Sequence, residues 1–207
     1  MNADVLSGGS FVNTIFDGVM GLATAGELDG GHPFFRSLRD AGKLTLPWIS
    51  IYYSNNDAKP GQIIFGGVDN ALMLPQSSMT WHPPGSMYPT YWTVNIERIE
   101  VGSEVVYSCE EGSSCSLTSA PREAMVDSGT SLIMIPDNVG SLDVKSFTAS
   151  GDCGNVNSLP EITFFMRSVD GTLMPYSLTG SDYTINRAGS CLTGNCINPC
   201  HMRTKLE

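Results

Sequence analysis

Residues 124–136 have the sequence A-M-V-D-S-G-T-S-L-I-M-I-P, which is the most informative segment of the chain. Apolar residues precede and follow Asp127, and a carboxylate between two apolar strands needs hydrogen bonds or a chemical task. Gly129 lets the backbone turn tightly beside the acid, and the hydroxyls of Thr130 and Ser131 can donate to the carboxylate. A bare D-S-G triplet is typical of an acidic turn closing a hairpin, whereas the apolar flanks favour a functional acid.

Short strands and tight turns are predicted on both sides of this stretch. One short helix is predicted at 33–41, between a proline and a glycine. The pattern alternates over 92–101, so Trp92, Val94 and Ile96 are expected to share one half-buried face. A strand followed by a turn is predicted at 11–22, where Gly18 and Gly21 allow tight backbone geometry. Strands are also predicted at 48–53, 62–67, 92–101, 123–127, 161–167 and 172–177, the last two joined by an Asp-Gly hairpin turn.

The composition agrees with a mainly β chain. Of the 207 residues, 41% are hydrophobic, which is enough to bury a core, and only 15% are charged. An average soluble domain has about 25% charged residues. The 22 glycines and 12 prolines supply many turns, which is typical of many short strands rather than long helices.

The charge and the cysteines limit the partners and the compartment. A net charge of −10 lacks the positive surface that phosphates require, so no nucleic-acid partner is expected. The acidic balance fits a protein that works at low pH, and solubility alone also accounts for it. Six cysteines in loop-rich sequence favour disulfides and the secretory pathway. No apolar run is long enough to predict a membrane span, and the start of the chain lacks signal-peptide features, so a mature form or a piece is expected.

Several segments resemble the pepsin family of aspartic endopeptidases, in the family's order and at plausible spacing from about residue 6 to 194. Their order makes the resemblance far more specific than any single match. The matching segments are I-F-D-G-V-M-G-L-A at 15–23, G-Q-I-I-F-G-G-V-D at 61–69, Y-W-T-V-N-I-E-R-I-E-V-G at 91–102, the stretch at 124–136, S-L-P-E-I-T-F at 158–164 and G-S-C-L-T-G at 189–194.

The resemblance implies a bilobal, mainly β, pepsin-like fold that is incomplete here. Residues 1–76 would be the C-terminal part of the first lobe, and the proline-rich segment 77–90 would connect the lobes. Residues 91–207 would be the second lobe, truncated or divergent after about 194. In the family, a D-T-G-S motif and a flap tyrosine lie upstream of the first matching segment, and a W-I-L-G-D strand follows the last. From Asn195 onward this chain departs from the family pattern. A truncation, a shifted reading frame, a divergent tail or a cloning remnant would each account for the departure.

The resemblance also implies the chemistry. Asp127 corresponds to the second catalytic aspartate of the family. Two carboxylates about 3 Å apart cannot both ionise, so they share one proton and titrate as a pair. The ionised member takes a proton from a water between them, and the protonated member polarises the scissile carbonyl. With only one of the two aspartates, the 207-residue chain is expected to be inactive alone.

The residues that would contact substrate follow from the same resemblance. Gly129, Thr130 and Ser131 are expected to contact an extended peptide through backbone and hydroxyl groups. Tyr91 and Met125 resemble pocket walls on the leaving-group side, with plain core packing as the alternative. The first-lobe pocket would be lined by Phe11, Phe16 and Val19, of which core packing is favoured for Val19.

Four cysteines match family positions. The resemblance implies disulfides Cys109–Cys115 and Cys153–Cys191, whereas Cys196 and Cys200 have no counterpart. A zinc cluster of the last cysteines with His201 is disfavoured, because the spacing is irregular and one cysteine already has a partner. No metal and no cofactor are expected. His32 and His82 lie beside prolines and are interpreted as plain surface residues.

The favoured function is an aspartic endopeptidase acting on protein or peptide substrates, secreted or endolysosomal, that needs the first-lobe segment with the other aspartate. The alternative is a non-catalytic, pepsin-like binding module, which would not need to keep D-S-G-T-S. A homodimer supplying one aspartate per chain is disfavoured by the long segment before Asp127. A D-T-G upstream would indicate the enzyme, and a substituted aspartate would indicate the binding module.

Overall fold

The computed structural model divides the chain into two compact units, Met1–Ser77 and Ser78–Glu207. Most of the described helices and strands, taken over the chain, are strands, as the sequence predicts. None of the helical segments in the described ranges has the length and apolar character that crossing a bilayer requires. The structure describes residues 19–24, 32–54, 58–73, 79–109, 123–130, 133–135 and 154–186, and the backbone of short strands at 191–192, 195–196, 200–202 and 204–206.

The first unit contains the helix and one hairpin. Helix α1 (Phe34–Asp40) confirms the predicted helix, with Pro33 as its N-cap and Gly42 following its end at φ 62°. Strands β1 (Ile49–Tyr52) and β2 (Gln62–Phe65) pair antiparallel, which confirms the two strands predicted there. The rings of Phe34 and Phe65 meet edge to face at 5.7 Å, so the helix packs on this hairpin.

The described strands of the second unit before residue 180 are β3 (Thr93–Asn95), β4 (Arg98–Val101), β5 (Glu104–Ser108), β6 (Glu123–Met125), β7 (Ile133–Ile135), β8 (Ile162–Arg167) and β9 (Leu173–Leu178). Four of them form an antiparallel sheet in the order β5-β4-β8-β9. The sequence did not predict β5, although its E-V-V-Y-S pattern suits a strand. The core of the second unit consists of the buried residues Ile96, Ile99, Val106, Tyr107, Cys109, Ile162 and Tyr183.

The strand predicted over 92–101 is interrupted at Glu97. Glu97 is 2% exposed and forms an ion pair with Arg167, with Oε1 and Nε 3.8 Å apart. Its backbone N–H donates to Phe165 at 2.8 Å, so the chain leaves β3 and joins the main sheet as β4. The prediction that Trp92 shares a half-buried face with Ile96 was therefore wrong for Trp92, which is 43% exposed, whereas Ile96 is 8% exposed.

The Asp-Gly turn between β8 and β9 confirms the predicted hairpin. Gly171 has φ 88°, a left-handed conformation that favours glycine. The Asp170 carboxylate accepts hydrogen bonds from the Ser168 hydroxyl at 2.5 Å and the Thr172 amide at 3.0 Å. These hydrogen bonds, the Ser168 hydroxyl first, lower the pKa of Asp170 to about 2.

Among the described residues after 186 there are four short strands, two of which pair with earlier strands of the second unit. Strands β10 (Thr184–Asn186) and β13 (Cys200–Met202) pair antiparallel. Strands β11 (Cys191–Leu192) and β12 (Asn195–Cys196) form a second small ladder. Strand β14 (Thr204–Leu206) pairs parallel with β7, a pairing that the sequence pattern did not indicate.

Candidate functional site

Two paired strands position Asp127. Strands β3 and β6 are antiparallel, with Thr93 opposite Met125. Beyond the ladder, the Val126 amide donates to the carbonyl of Trp92 at 2.8 Å, which continues the pairing by one residue. The structure thus places Met125 in the ladder, and it places Tyr91 and Asp127 next to the two residues that form its last hydrogen bond.

The loop after β6 supplies hydrogen bonds to the Asp127 carboxylate. The Gly129 amide donates to Oδ1 at 2.8 Å, and the Thr130 hydroxyl donates to Oδ2. The Thr130 amide also donates to the Asp127 carbonyl at 3.2 Å, which closes the turn. The Thr130 hydroxyl, followed by the Gly129 amide, lowers the pKa of Asp127 from 3.8, and slight burial acts in the opposite direction. These hydrogen bonds therefore favour the ionised form of the carboxylate.

The apolar flank of Asp127 is exposed in the second unit. Met125 is 50% exposed and Val126 is 62% exposed, and Asp127 is itself exposed. The interpretation of an acid between buried apolar strands was thus wrong for the preceding strand. The sequence correctly indicated that the acid would be hydrogen-bonded, because the hydroxyl and the glycine lie within its own turn. The result is a carboxylate beside exposed apolar side chains, those of Met125 and Val126 before it in the chain and those of Tyr91 and Trp92 on the neighbouring segment.

Glycine at position 129 suits the close approach of the turn to the acid. A Cβ atom there would lie 3.2 Å from Asp127 Oδ1, which is tighter than ordinary van der Waals contact. The amide could then reach the carboxylate only with a small displacement. The glycine of the D-S-G motif therefore allows the Gly129 amide to donate one of the hydrogen bonds that lower the pKa of Asp127.

The structure says less about the remaining predicted site residues. Val19 is 77% exposed, so the core packing favoured for it was wrong within the described part of the chain. Cys109 is buried at 2% exposure, and its amide donates to the Glu97 carbonyl at 2.6 Å. Both disulfides stay predictions. Phe11, Phe16, Ser131, Cys115 and Cys153 lie outside the described residues, as do the side chains of Cys191, Cys196 and Cys200.

His82 is not the plain surface residue that its proline neighbours indicated. Its Nδ1 lies 2.9 Å from the Arg167 carbonyl oxygen, and its Nε2 lies 2.6 Å from the Tyr176 hydroxyl. The carbonyl can only accept, so Nδ1 carries a proton and the ring connects the 79–92 segment to β8 and β9. His32, in contrast, is exposed, as expected.

A second carboxylate near the site was missed by the sequence analysis. Glu123, the first residue of β6, accepts hydrogen bonds from the backbone amides of Ser86, Met87 and Tyr88. Local pattern gives no sign of this contact, because the partners lie about 35 positions earlier in the chain. The sequence signal that could have indicated this contact is P-P-G-S at 83–86. It predicts a tight turn whose backbone amides can donate to a side chain.

The strand-rich fold and the D-S-G-T loop at the end of β6 define the class of the protein. The family model for eukaryotic aspartyl proteases matches residues 1–204, and the chain belongs to this family. The bilobal pepsin-like architecture is inferred from that membership.

Individual relatives agree with this assignment. Gastricsin of Macaca fuscata fuscata is 32% identical over 205 residues, which are 94% of this chain and 49% of the relative. Cathepsin E of Oryctolagus cuniculus is 31% identical over 189 residues, 86% of this chain and 43% of the relative. Pepsin A of Gallus gallus is 28% identical over 192 residues, 90% of this chain and 47% of the relative. The chain spans about half the length of these relatives.

Proposed function

We propose that this chain is the part of an aspartic endopeptidase that supplies one of the two catalytic carboxylates, Asp127. The observation that supports the proposal most directly is the geometry of its loop. The carboxylate is accessible, and both of its oxygens accept hydrogen bonds from the turn that follows it. A structural acid that only closed a turn would not need an exposed apolar face beside it. Family membership gives the chemical class.

The mechanism requires a second carboxylate outside these 207 residues. Two close carboxylates share a proton, because the first ionisation makes the second unfavourable. The ionised member removes a proton from a water held between them, and that water attacks the peptide carbonyl. The other member donates a hydrogen bond to the carbonyl oxygen, which stabilises the developing negative charge. The hydrogen bonds from Gly129 and Thr130 to Asp127 favour its ionised form.

The substrate in this proposal is an extended protein or peptide chain. Gly129, Thr130 and Ser131 supply polar contacts to its backbone. Tyr91 and Met125, which are 40% and 50% exposed, form apolar walls on the leaving-group side. Phe11 and Phe16 line the pocket of the first lobe.

The same proposal assigns the organisation of the chain. Residues 1–76 form the closing part of the first lobe, 77–90 the connection, and 91–207 the second lobe. The protein works in the secretory pathway or an endolysosomal compartment, with disulfides Cys109–Cys115 and Cys153–Cys191. Gastricsin, pepsin A and cathepsin E are the relatives whose similarity supports this.

The test is cleavage of a denatured protein at acidic pH. The 207-residue chain alone should not cleave, and adding a first-lobe segment with a D-T-G motif should restore cleavage. Asp127→Asn should abolish the restored activity. The matched control is Asp182→Asn, because Asp182 also accepts from a threonine hydroxyl and an amide, at 2.7 and 2.8 Å, in a turn after β9. Activity of the chain alone that disappears in Asp127→Asn would refute the two-part proposal and favour a homodimer. Peptide binding without cleavage in the complemented protein would favour the binding module.

A further inference from the structure

The carboxylate of Glu123 lies in a ring of backbone amides. Its Oε1 accepts from the N–H groups of Ser86 at 2.5 Å and Met87 at 2.6 Å, and its Oε2 accepts from Tyr88 at 3.3 Å. Three successive N–H groups that converge on one point form an anion-binding nest. Gly85, which precedes them, is buried, and a Cβ atom there would overlap the carboxylate and lie 2.6 Å from Thr93 Oγ1. The nest therefore requires glycine at its base.

This contact joins the two neighbours of strand β3. On one edge of β3, the Gly85 amide donates to the Thr93 carbonyl at 3.1 Å, and Pro84 forms a bridge with Val94. On the other edge, the Val126 amide donates to the carbonyl of Trp92. Glu123 starts from the second neighbour, β6, and its side chain reaches the amides of the first. One side chain thus connects the 84–88 segment to the strand that ends at the candidate catalytic acid.

The turn beyond the nest leads directly to the site. The Tyr91 amide donates to the Tyr88 carbonyl at 3.1 Å, so the last amide of the nest and Tyr91 belong to one turn. Tyr91 precedes Trp92, whose carbonyl accepts from the Val126 amide next to Asp127. A displacement of the nest would therefore act on the hydrogen bond that immediately precedes the acid.

Hydrogen bonds from backbone amides lower the pKa of Glu123. The Met87 amide contributes most to lowering it from 4.5, burial acts in the opposite direction, and the amides of Ser86 and Tyr88 add to the lowering. No charged side chain contributes to this shift, and Tyr88 is the titratable side chain that the turn at 86–88 presents. A lowered pKa means that the contact is fully present above the ordinary value and is lost as the pH falls through the lowered value. The nest thus stays occupied in mild acid.

We propose that Glu123 is a positioning residue of the candidate active site: its carboxylate, held in the nest of Ser86, Met87 and Tyr88, fixes the 84–91 turn and so the pairing that places Asp127. The inference that a catalytic centre is being positioned rests on the proposed function. The structural part does not, because it concerns only the amides and the pairing of β3 with β6.

The experiment is residue-resolved amide hydrogen exchange by NMR on the 207-residue chain. Glu123→Ala should accelerate exchange at Ser86, Met87 and Tyr88 by about tenfold or more, since each amide loses its acceptor. The Val126 amide should also exchange faster, because its pairing with Trp92 depends on the fixed turn. Glu123→Gln keeps an acceptor oxygen without the charge and should give a smaller acceleration. Glu104→Gln is the matched control, because Glu104 begins β5 as Glu123 begins β6.

Each outcome decides a separate point. Unchanged exchange at the three turn amides in Glu123→Ala, with β8 and β9 still protected, would overturn the nest. Acceleration at those amides but not at Val126 would overturn the positioning role and leave Glu123 as a local cap. If Glu123→Ala unfolds the chain, Glu123→Gln gives the same comparison. In the enzyme complemented with the first-lobe segment, the Glu123 variant used for the exchange comparison should lower kcat more than it raises KM. If the complemented enzyme without the substitution does not cleave, that result counts against the proposed function and leaves the exchange result unaffected.

Discussion

Replacing Tyr183 with phenylalanine should lower the free energy of unfolding by about 1–2 kcal/mol. Tyr183 is 0% exposed within the core of the second unit, and its hydroxyl donates to the Pro160 carbonyl at 2.7 Å. Phenylalanine keeps the ring and its packing and removes only the donor. The loss therefore combines the net contribution of one hydrogen bond, about 0.5–1.5 kcal/mol, with part of the cost of leaving a carbonyl without its partner.

Urea denaturation followed by tryptophan fluorescence measures this change. With a dependence on urea of about 2 kcal/mol per molar, the midpoint should fall by about 0.5–1 M while the slope stays the same. Tyr176→Phe is the matched control, since its hydroxyl lies 2.6 Å from His82 Nε2 but the residue is 38% exposed. Water can replace that bond, so its cost should stay below about 0.5 kcal/mol. Equal midpoints for Tyr183→Phe and the unaltered protein, or equal losses in both variants, would refute the argument that burial sets the cost.

Three other predictions follow from the described contacts and the cysteine assignment. Thr130→Val should raise the pKa of Asp127 toward its ordinary value, and Thr130→Ser should not, because serine keeps the hydroxyl. NMR titration of the carboxyl carbon measures this, and equal titration in both variants would contradict the role of the hydroxyl. Asp170→Asn should lower the melting temperature above about pH 3.8, and the difference should vanish as the pH falls through about 2; a difference that persists there would contradict the hydrogen-bond origin of the shift. Peptide mapping without reduction should find two disulfides, Cys109–Cys115 and Cys153–Cys191. A link from Cys153 to Cys196 or Cys200 would contradict this assignment.

Much of the strand content could be predicted, because short alternating runs between turn residues are local signals. The hairpin at Asp170 and Gly171 is the clearest case, since the turn conformation needs those residue types. The break at Glu97 could not be predicted from the alternation of 92–101. It accompanies backbone hydrogen bonds from Glu97 to Phe165 and from Cys109 to Glu97, whose partners lie far along the sequence. Contacts with distant partners thus interrupt a pattern that looks continuous locally.

The candidate site divides in the same way. Asp127 was found because its hydrogen-bond donors, at positions 129 and 130, lie in the same short motif. Glu123 was missed because its partners are backbone amides, which every residue type except proline provides. His82 was misinterpreted for a related reason, since its partners are a carbonyl and a tyrosine on the distant hairpin.

The parallel pairing of β14 with β7 affects the order in which the site forms during synthesis. Strand β7 follows the Asp127 loop closely, whereas its neighbour Thr204–Leu206 leaves the ribosome much later. Pairings between segments far apart in sequence form slowly, because a long loop must close first. The β3–β6 ladder can form as soon as residue 125 has emerged, but the pairing of β7, after the Asp127 loop, requires that β14 has been synthesised. During that interval the nascent chain presents an unpaired strand edge beside the acid, where a chaperone can bind or another chain can pair.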